Sequence, residues 1–415
     1  MGLFSDQRAV VTGIGVVAPN AVGKVAFWDS LLAGHSGTKR ITLFDPSSYR
    51  SQIAGEVANF DLRDYLKPKG RVSRMSRQTQ LALAAAVLAE ADVGISAKTL
   101  AGFGPVPIYL GVSSSAIEIV EKGIERMARR GAARVPTSVV EASSPQQAAS
   151  TIGEELGFPT TVHTIASACA AGLEATGIAT DSILGGKADL VITGGADAPI
   201  TKLSFACFDR AGLASARNDD PARASRPFDR DCDSGVISEG AGILFIENYE
   251  QAVARGANIY MEILGYASHA DPGLDRPMLG LQDSMEIALA NAHKRPVDID
   301  YICAHGPSHP VIDRAETDMI KAVFGADAYR VPVTSVKGNI GNPLAAAGPI
   351  QLASCALALQ SGIIPPIANH ENPAEGCDLD YVSGTGRTTH PRTALINAHG
   401  LGGGNTSLVV QRIDA

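Results

Sequence analysis

Short runs of β-branched and other apolar residues alternate along the whole chain with longer alanine-rich segments, and this alternation most constrains the fold. The short runs have the length of buried strands, and the longer segments have that of helices. Such an alternation is typical of α/β layers. The predicted strands are Ala9–Thr12, Ile108–Val112, Leu190–Thr193, Gly242–Ile246, Tyr260–Leu264, Tyr301–Ala304, Ala394–Asn397 and Leu408–Gln411. The predicted helices are Arg77–Ala89, Pro145–Leu156, Ala170–Leu184, Leu281–Ala292, Asp313–Phe324 and Ala345–Gln360.

Two of these helices, Ala170–Leu184 and Ala345–Gln360, carry few charges. A helix that is apolar nearly all round lies between layers rather than on a surface. Around residues 247–257 the pattern runs from strand to helix to strand, with no low-complexity linker. We therefore divide the chain into an N-terminal half, 1–255, and a C-terminal half, 256–415, packed as one body.

The net charge of −8, with no long run of Lys or Arg, argues against a nucleic-acid partner. The six cysteines form no CxxC pattern, so we expect no metal site and reduced thiols in the cytoplasm. We also expect no signal peptide and no run of about 18 apolar residues that would span a membrane. Two local basic clusters suit either a solvated face or an acidic partner: Lys67, Lys69, Arg71, Arg74 and Arg77, and then Lys122, Arg126, Arg129, Arg130 and Arg134.

Cys169 follows a strand-like run, Thr160–Thr164, and precedes a helix rich in alanine and glycine. A cysteine at a helix N-terminus is close to unpaired N–H groups and the positive end of the dipole, which favour the thiolate. Its small neighbours leave room for a substrate. A buried cysteine without chemistry is the alternative interpretation of this segment alone.

Three later segments carry polar groups on turns. His305 follows the strand Tyr301–Ala304 on a Gly/Pro turn, and Lys337 and Asn342 lie in a glycine-containing loop. The segment from His399 through Gly402 permits positive φ and brings backbone N–H groups close to a ligand. One such N–H suits an oxyanion hole. Each segment taken alone is equally compatible with a structural role.

Together the four segments resemble one family. They read SACAAG around Cys169, HGPSHPxxDxxE from His305, KxxxGNxxxxxG from Lys337 and GLGGGN from Gly400. Similar stretches elsewhere are VVTGIGVVAP, RMSRQTQLALAAA, ADLVITGGADAP and SRPFDRDCDSGVISEGAG. The chain is thereby similar, over essentially its whole length, to the elongating β-ketoacyl-acyl-carrier-protein synthases, the condensing enzymes of fatty-acid and polyketide synthesis.

The resemblance implies a thiolase-like, five-layered α-β-α-β-α fold of two similar halves, usually dimeric. It implies that Cys169 accepts an acyl group from an acyl carrier protein, and that malonyl carrier protein then loses carbon dioxide and attacks the thioester. Cys169 and Leu401 are the expected oxyanion-hole residues, His305 a catalytic histidine, and Lys337 the family lysine with Glu316 as its ion-pair partner. No cofactor is implied, because the substrates are carried on phosphopantetheine.

Several positions depart from the family pattern. Asn342 replaces a second histidine, which leaves an amide that neither titrates nor carries charge. Pro307 and His309 replace two hydroxyl residues beside the phosphopantetheine arm. The remaining replacements are Gly235 and His399 for aromatic residues, Leu401 for a gating phenylalanine, and Cys303 for an asparagine. We expect Gly235 and Leu401 to widen the acyl path and His309 and His399 to add polarity, as in a specialised secondary-metabolite synthase.

Three other functions remain open from the sequence. The first is a ketosynthase-like acyltransferase that keeps Cys169 and His305 without extending the chain. The second is a subunit of a heterodimer with a chain-length factor, in which Cys169 would make this chain the active member. The third is a dinucleotide enzyme, because Gly13, Gly15 and Ala18 fit GxGxxA after a strand. Pro19 and Asn20 interrupt that motif before a helix begins.

Overall fold

The computed structural model describes residues 7–66, 72–95, 97–273 and 277–413. Ten main strands are β1 (Ala9–Ala18), β2 (Val106–Gly111), β3 (Thr160–Ile165), β4 (Leu190–Asp197), β5 (Gly240–Asn248), β6 (Met261–Ala270), β7 (Tyr301–Cys303), β8 (Val333–Thr334), β9 (Thr393–Gly400) and β10 (Gly404–Gln411). Besides β8, the two-residue strands among the described residues are Ala21–Val22, Lys39–Arg40, Ile53–Ala54, Ile363–Ile364 and Arg387–Thr388.

The helices are α1 (Lys24–Leu32), α2 (Arg77–Val93), α3 (Ala97–Leu100), α4 (Ile117–Arg130), α5 (Ser138–Ala142), α6 (Gln147–Leu156), α7 (Ala171–Leu184), α8 (Lys202–Arg210), α9 (Tyr249–Ala254), α10 (Leu279–Asn291), α11 (Pro310–Phe324), α12 (Lys337–Ile340) and α13 (Ala347–Ser361). All the predicted strands and helices are present, with ends displaced by a few residues. The helix predicted from Asp313 begins at Pro310, because proline suits the first helical turn and the His309 side chain caps it.

The two halves of the sheet have the same topology. The N-terminal strands lie in the order β3-β2-β4-β5-β1, and the C-terminal strands in the order β8-β7-β9-β10-β6. In each half the second strand is parallel to both neighbours and the last strand is antiparallel to both neighbours. The halves meet where β1 pairs antiparallel with β6 over three residues. The fold is therefore duplicated, although no sequence repeat is evident.

Helices cover both faces of each half of the sheet. Helices α2 and α6 pack on the N-terminal strands, and α10 and α11 pack on the C-terminal strands. Helices α7 and α13 lie between the two halves and contribute to one shared apolar core. This arrangement confirms the predicted five-layered α-β-α-β-α fold.

Helix α13 corrects one expectation. The segment Leu344–Ser361 has a mean hydropathy of 1.2 over 18 residues, and by length and composition it is the one such candidate for a membrane span in the described ranges. The expectation that no such run exists is therefore wrong. The segment is 83% buried within the protein, as is typical of a helix between two sheet layers.

The glycines of the GxGxxA motif lie inside strand β1 rather than on a loop. A Cβ atom at Gly15 would lie 1.8 Å from the carbonyl oxygen of Ala85 in α2, and one at Gly13 would lie 2.7 Å from Cβ of Val93. These glycines therefore permit close packing of α2 on the strand. That packing accounts for the motif without a dinucleotide.

The two basic clusters differ. In the first, Lys67, Lys69 and Arg71 lie outside the described residues, and Arg77 forms an ion pair with buried Glu239 at 2.7 Å. The second cluster is exposed on α4 and the turn that follows. Among the described residues, the second cluster therefore forms a solvated basic surface and the first does not.

Candidate active site

Cys169 lies in a 3₁₀ turn, Ala168–Ala170, between β3 and α7. Ala168 has a positive φ of 53°, a conformation that costs a residue with a side chain some strain. The turn places Cys169 at the N-terminal end of α7, with 7% of its surface exposed. Burial raises the pKa of the Cys169 thiol, while Lys337, Asn342 and the Leu401 backbone lower it.

The glycine-rich turn between β9 and β10 packs directly against Cys169. A Cβ atom at Gly400 would lie 2.5 Å from the carbonyl oxygen of Ser167, so only glycine fits there. The Leu401 backbone N–H lowers the pKa of the Cys169 thiol, as a donor near the sulfur does. The Leu401 side chain is 68% exposed at the mouth of the site. The turn that carries the Leu401 N–H therefore packs against the backbone of the Cys169 turn, the arrangement that the predicted oxyanion hole needs.

His305 is almost fully buried, at 3% exposure. Its Nδ1 accepts a hydrogen bond from the His399 backbone N–H at 3.1 Å and lies 3.2 Å from Nζ of Lys337. Burial, Lys337 and His399 lower the pKa of His305 well below its ordinary value of 6.5. A neutral ring that accepts at Nδ1 carries its proton at Nε2. His305 therefore offers Nε2–H as a hydrogen-bond donor.

Lys337 and Glu316 correct the expected ion pair. Among the described residues, Nζ of Lys337 makes no direct contact with Glu316 and donates instead to the carbonyl oxygen of His305. The Glu316 carboxylate accepts from the backbone N–H groups of His305 and Gly306, both at 2.8 Å, and from the Asn397 side chain at 3.3 Å. Lys337 and Glu316 thus both hold the His305 turn. Burial lowers the pKa of Lys337 to about 8 and raises the pKa of Glu316.

Asn342 lies beside the thiol. Its Nδ2 is 3.9 Å from Sγ of Cys169, and its Oδ1 is buried without a hydrogen-bond partner in the described part of the chain. Backbone hydrogen bonds to Val236 and Ser238 fix its position. An amide with one N–H group near the sulfur and an open acceptor suits contact with a substrate.

Cys169, His305 and Asn342 converge on a cavity of about 110 Å³. Its lining residues are Cys169, Phe208, Leu213, Gly235, Ile237, His305, Pro307, His309, Ile312, Asn342, Leu344, His399 and Leu401. Seven of the predicted site residues are in this set. Lys337, Glu316 and Gly402 are not, and Gly402 instead provides positive φ in the loop beside Leu401.

Gly235 does not simply remove bulk from the cavity. A Cβ atom there would lie 2.6 Å from the carbonyl oxygen of Pro307. The turn that contains Pro307 therefore occupies part of the space that a side chain at 235 would need. The expectation that Gly235 widens the acyl path is wrong in this respect, because glycine is required by the neighbouring turn.

His309 caps α11 and also lines the cavity. Its Nδ1 accepts from the Val311 N–H at 3.3 Å, and its own backbone N–H donates to Asp313 at 3.2 Å. Burial lowers the pKa of His309. In the neutral ring the proton is therefore at Nε2, so His309 is a donor toward its surroundings.

Sequence reasoning missed Asp197 and the apolar lining. Asp197 is fully buried at the end of β4 and accepts four hydrogen bonds, from Ser113, Ser114 and Ala345. Burial raises its pKa to about 7. Its position after a strand was a signal of a buried polar role. Residues such as Phe208 and Leu213 carry no such signal, because apolar residues in a loop or short helix do not reveal which cavity they line.

No cluster of three metal-ligating side chains occurs within residues 7–66, 72–95, 97–273 and 277–413.

The family models and the similar proteins that match this chain all belong to one family. Residues 6–252 match the beta-ketoacyl synthase N-terminal domain, and residues 260–371 match the beta-ketoacyl synthase C-terminal domain. The chain is 37% identical to the tetracenomycin polyketide synthase ketoacyl synthase alpha subunit of Streptomyces glaucescens, over 99% of each chain.

Two solved structures are also similar. The ishigamide ketosynthase/chain length factor has a TM-score of 0.91 and 29% identity, over 99% of this chain and 100% of that chain. A type II polyketide synthase ketosynthase, solved bound to the hexaketide and in complex with its acyl-carrier protein, has a TM-score of 0.89 and 31% identity over the same shares.

Proposed function

The chain belongs to the β-ketoacyl synthase family and is a β-ketoacyl synthase of the polyketide type, and we propose that Cys169 is the residue that carries its acyl group. The observation that supports this most is the placement of Cys169, His305 and Asn342 on one small cavity. In the first stage, the Cys169 sulfur attacks the thioester carbonyl of an acyl carrier protein. The bond from the carbonyl carbon to the phosphopantetheine sulfur breaks, that sulfur takes up the proton that the Cys169 thiol lost, and an acyl-Cys169 thioester remains.

Two backbone N–H groups stabilise the oxyanion of this stage, those of Cys169 and Leu401. They are fixed by the α7 turn and the glycine loop, so they need no rearrangement when charge develops. His305 does not serve as the base for the thiol, because its Nδ1 is already occupied by the His399 N–H. Burial raises the pKa of the Cys169 thiol, and Lys337 and the N-terminus of α7 oppose that rise.

In the second stage, malonyl carrier protein occupies the same cavity. Nε2–H of His305 and an amide N–H of Asn342 donate to the malonyl thioester oxygen. The bond between the malonyl carbon and the carboxylate breaks, and carbon dioxide leaves. The electron pair of that bond forms the enolate. The enolate carbon attacks acyl-Cys169, and the Cys169 sulfur leaves. A neutral histidine donates one uncharged N–H, as an amide does, so Asn342 in place of a second histidine is compatible with this stage.

The remaining proposals concern partners and location. The exposed basic residues of α4, from Lys122 to Arg130, suit docking of an acidic acyl carrier protein. A second ketosynthase-like chain as partner, in a homodimer or heterodimer, is supported by the similar ketosynthase/chain length factor. All six cysteines are free, which suits a cytoplasmic location. No cofactor is proposed beyond the phosphopantetheine of the carrier.

We also place the junction between the two halves, 1–255 and 256–415, in the segment between β5 and β6. The repeated strand order on either side supports this division. Each half supplies part of the site, because Cys169 comes from the first and His305 and Asn342 from the second.

A second candidate is an acyltransferase that loads Cys169 without extending the chain. It is favoured by one observation, that Nδ2 of Asn342 lies toward the sulfur rather than being free for malonate. The test is carbon dioxide release from malonyl carrier protein by the acylated enzyme. We expect release by the wild type, and a loss of about 100- to 1,000-fold in His305→Phe with acyl loading retained.

The controls separate the two candidates. If the wild type forms acyl-Cys169 and releases no carbon dioxide, the non-elongating acyltransferase is correct. Recovery of release in Asn342→His would then show that Asn342 is the cause. If His305→Phe releases carbon dioxide at the wild-type rate, the assigned role of His305 is wrong.

A further inference from the structure

A third histidine that lines the cavity, His399, is partly buried and has hydrogen bonds that differ from those of His305. The His399 side chain is 12% exposed, and its ring meets that of His305 edge to face with centroids 5.8 Å apart. Its Nδ1 lies 2.8 Å from Oδ1 of Asn405. The protonation of His399 therefore depends on which atom of the Asn405 amide faces the ring.

The neighbours of Asn405 fix the orientation of its side-chain amide. It is fully buried, and its Nδ2 lies within 3.2 Å of three acceptors: Oδ1 of Asp271 at 2.7 Å, the carbonyl oxygen of Gly403 at 3.0 Å and that of His269 at 3.2 Å. Asp271 is itself fixed, because its carboxylate accepts the backbone N–H groups of Met278 and Gly280. An amide nitrogen must face these oxygens, so the Asn405 oxygen faces His399.

The tautomer of His399 follows. Nδ1 must donate to Oδ1 of Asn405, so in the neutral ring Nε2 holds a lone pair. Burial lowers the pKa of His399, which keeps the ring neutral near pH 7. Nε2 has no hydrogen-bond partner among the described residues and belongs to a side chain that lines the cavity. His305 and His309 thus offer donors to the cavity, whereas His399 offers an acceptor.

We propose that His399 is a specificity-determining residue whose Nε2 accepts a hydrogen bond from a β-hydroxyl or enol group of the acyl chain. His399 is two residues from the Leu401 N–H beside Cys169, and its backbone holds His305, so a donor must lie within a few bonds of the thioester carbonyl to reach it. A saturated chain that displaced water from the cavity would leave this acceptor unpaired. Sites built for a hydroxyl discriminate strongly against analogues that lack it.

This inference rests on the proposed function, since it requires that Cys169 be acylated. The test compares initial rates of acyl-enzyme formation from carrier proteins loaded with octanoyl or 3-hydroxyoctanoyl groups. We expect the wild type to favour the hydroxylated chain by at least about 10-fold. His399→Phe should lose that preference by slowing the hydroxylated chain alone. His399→Gln, which keeps an acceptor, should retain much of the preference.

His309→Phe is the matched control, because it removes a cavity histidine that donates rather than accepts, and we expect it to keep the ratio between the two chains. Equal rates for the two chains in the wild type would overturn the inference while leaving the proposed function intact. Equal slowing of both chains in His399→Phe would also overturn it, because the acceptor would then serve the phosphopantetheine arm that they share. Loading of neither chain would contradict the proposed function itself.

Discussion

The turns that begin the two central helices share a backbone and differ in chemistry. Ala168–Ala170 precedes α7 and Leu344–Ala346 precedes α13, and their first residues have φ values of 53° and 50°. In each, the third residue donates its backbone N–H to the residue just before the turn, at 3.2 Å for Ala170 and 3.1 Å for Ala346. The duplicated fold therefore supplies the same strained turn twice.

The middle residues of the turns account for the difference. Cys169 lines the cavity, and its N–H has no hydrogen-bond partner in the described part of the chain. Ala345 is fully buried, and its N–H donates to Asp197 at 3.0 Å. One turn keeps its N–H available for an oxyanion, whereas the other uses it to join the two halves. The comparison teaches that chemistry at such a turn requires an open N–H and access as well as a nucleophile.

The largest effect is expected from moving the thiol between the turns. In the double variant Cys169→Ala with Ala345→Cys, acyl loading should fall by at least about 1,000-fold, because the new thiol is buried and its N–H is occupied. Intact-protein mass spectrometry after incubation with an acyl carrier protein measures the adduct. The single variant Ala345→Cys is the control, and it should still load at Cys169. Efficient loading of the double variant would show that the two turns are equivalent after all.

The next effect concerns Asp197, which ties the second turn in place. Asp197→Ala removes the acceptor of the Ser113, Ser114 and Ala345 backbone N–H groups, and each group that stays unpaired away from water costs about 1–3 kcal/mol. We expect the free energy of unfolding to fall by about 3 kcal/mol, after allowance for relaxation. Denaturant titration measures it. A loss below about 1 kcal/mol would indicate that the turn before α13 does not depend on Asp197.

A smaller effect is expected in the pH dependence of the free energy of unfolding, which tests the same role of Asp197. Burial raises the pKa of Asp197 from 3.8 to about 7, so between these values the folded protein holds a proton that the unfolded chain has lost. This contribution to stability is complete below pH 4 and is lost as pH rises toward 7. Relative to Asp197→Asn, the wild-type free energy of unfolding should therefore decline by about 2 kcal/mol from pH 5 to pH 7. If the free energies of unfolding of the wild type and Asp197→Asn differed by the same amount at every pH, the raised pKa of Asp197 would be contradicted.

Much of the fold was predictable because hydrophobic pattern and glycine placement act locally. The strands, the helices and the turn at Cys169 follow from segments that can be assessed without their neighbours. The contacts between Lys337, Glu316 and His305 were not predictable in detail. Opposite charges suggested an ion pair, yet the buried carboxylate is satisfied by the backbone of the His305 turn.

Gly235 and Asp197 illustrate the same limit. The space beside Gly235 depends on the Pro307 carbonyl, which is 72 residues away in sequence. The partners of Asp197 come from two other segments, at 113–114 and 345. Contacts of this kind are set by tertiary packing, which residue type and spacing do not encode. The tautomer of His399 likewise depends on Asn405 and Asp271 together.

The central claim is that Cys169 alone carries the acyl group, and peptide mapping by mass spectrometry tests it most directly. After incubation of the wild-type protein with an acyl carrier protein, digestion at low pH preserves thioesters for assignment. The account predicts an acyl adduct on the peptide that contains Cys169, and none on that peptide in Cys169→Ala. An adduct on exposed Cys207, or one that persists undiminished in Cys169→Ala, would contradict it.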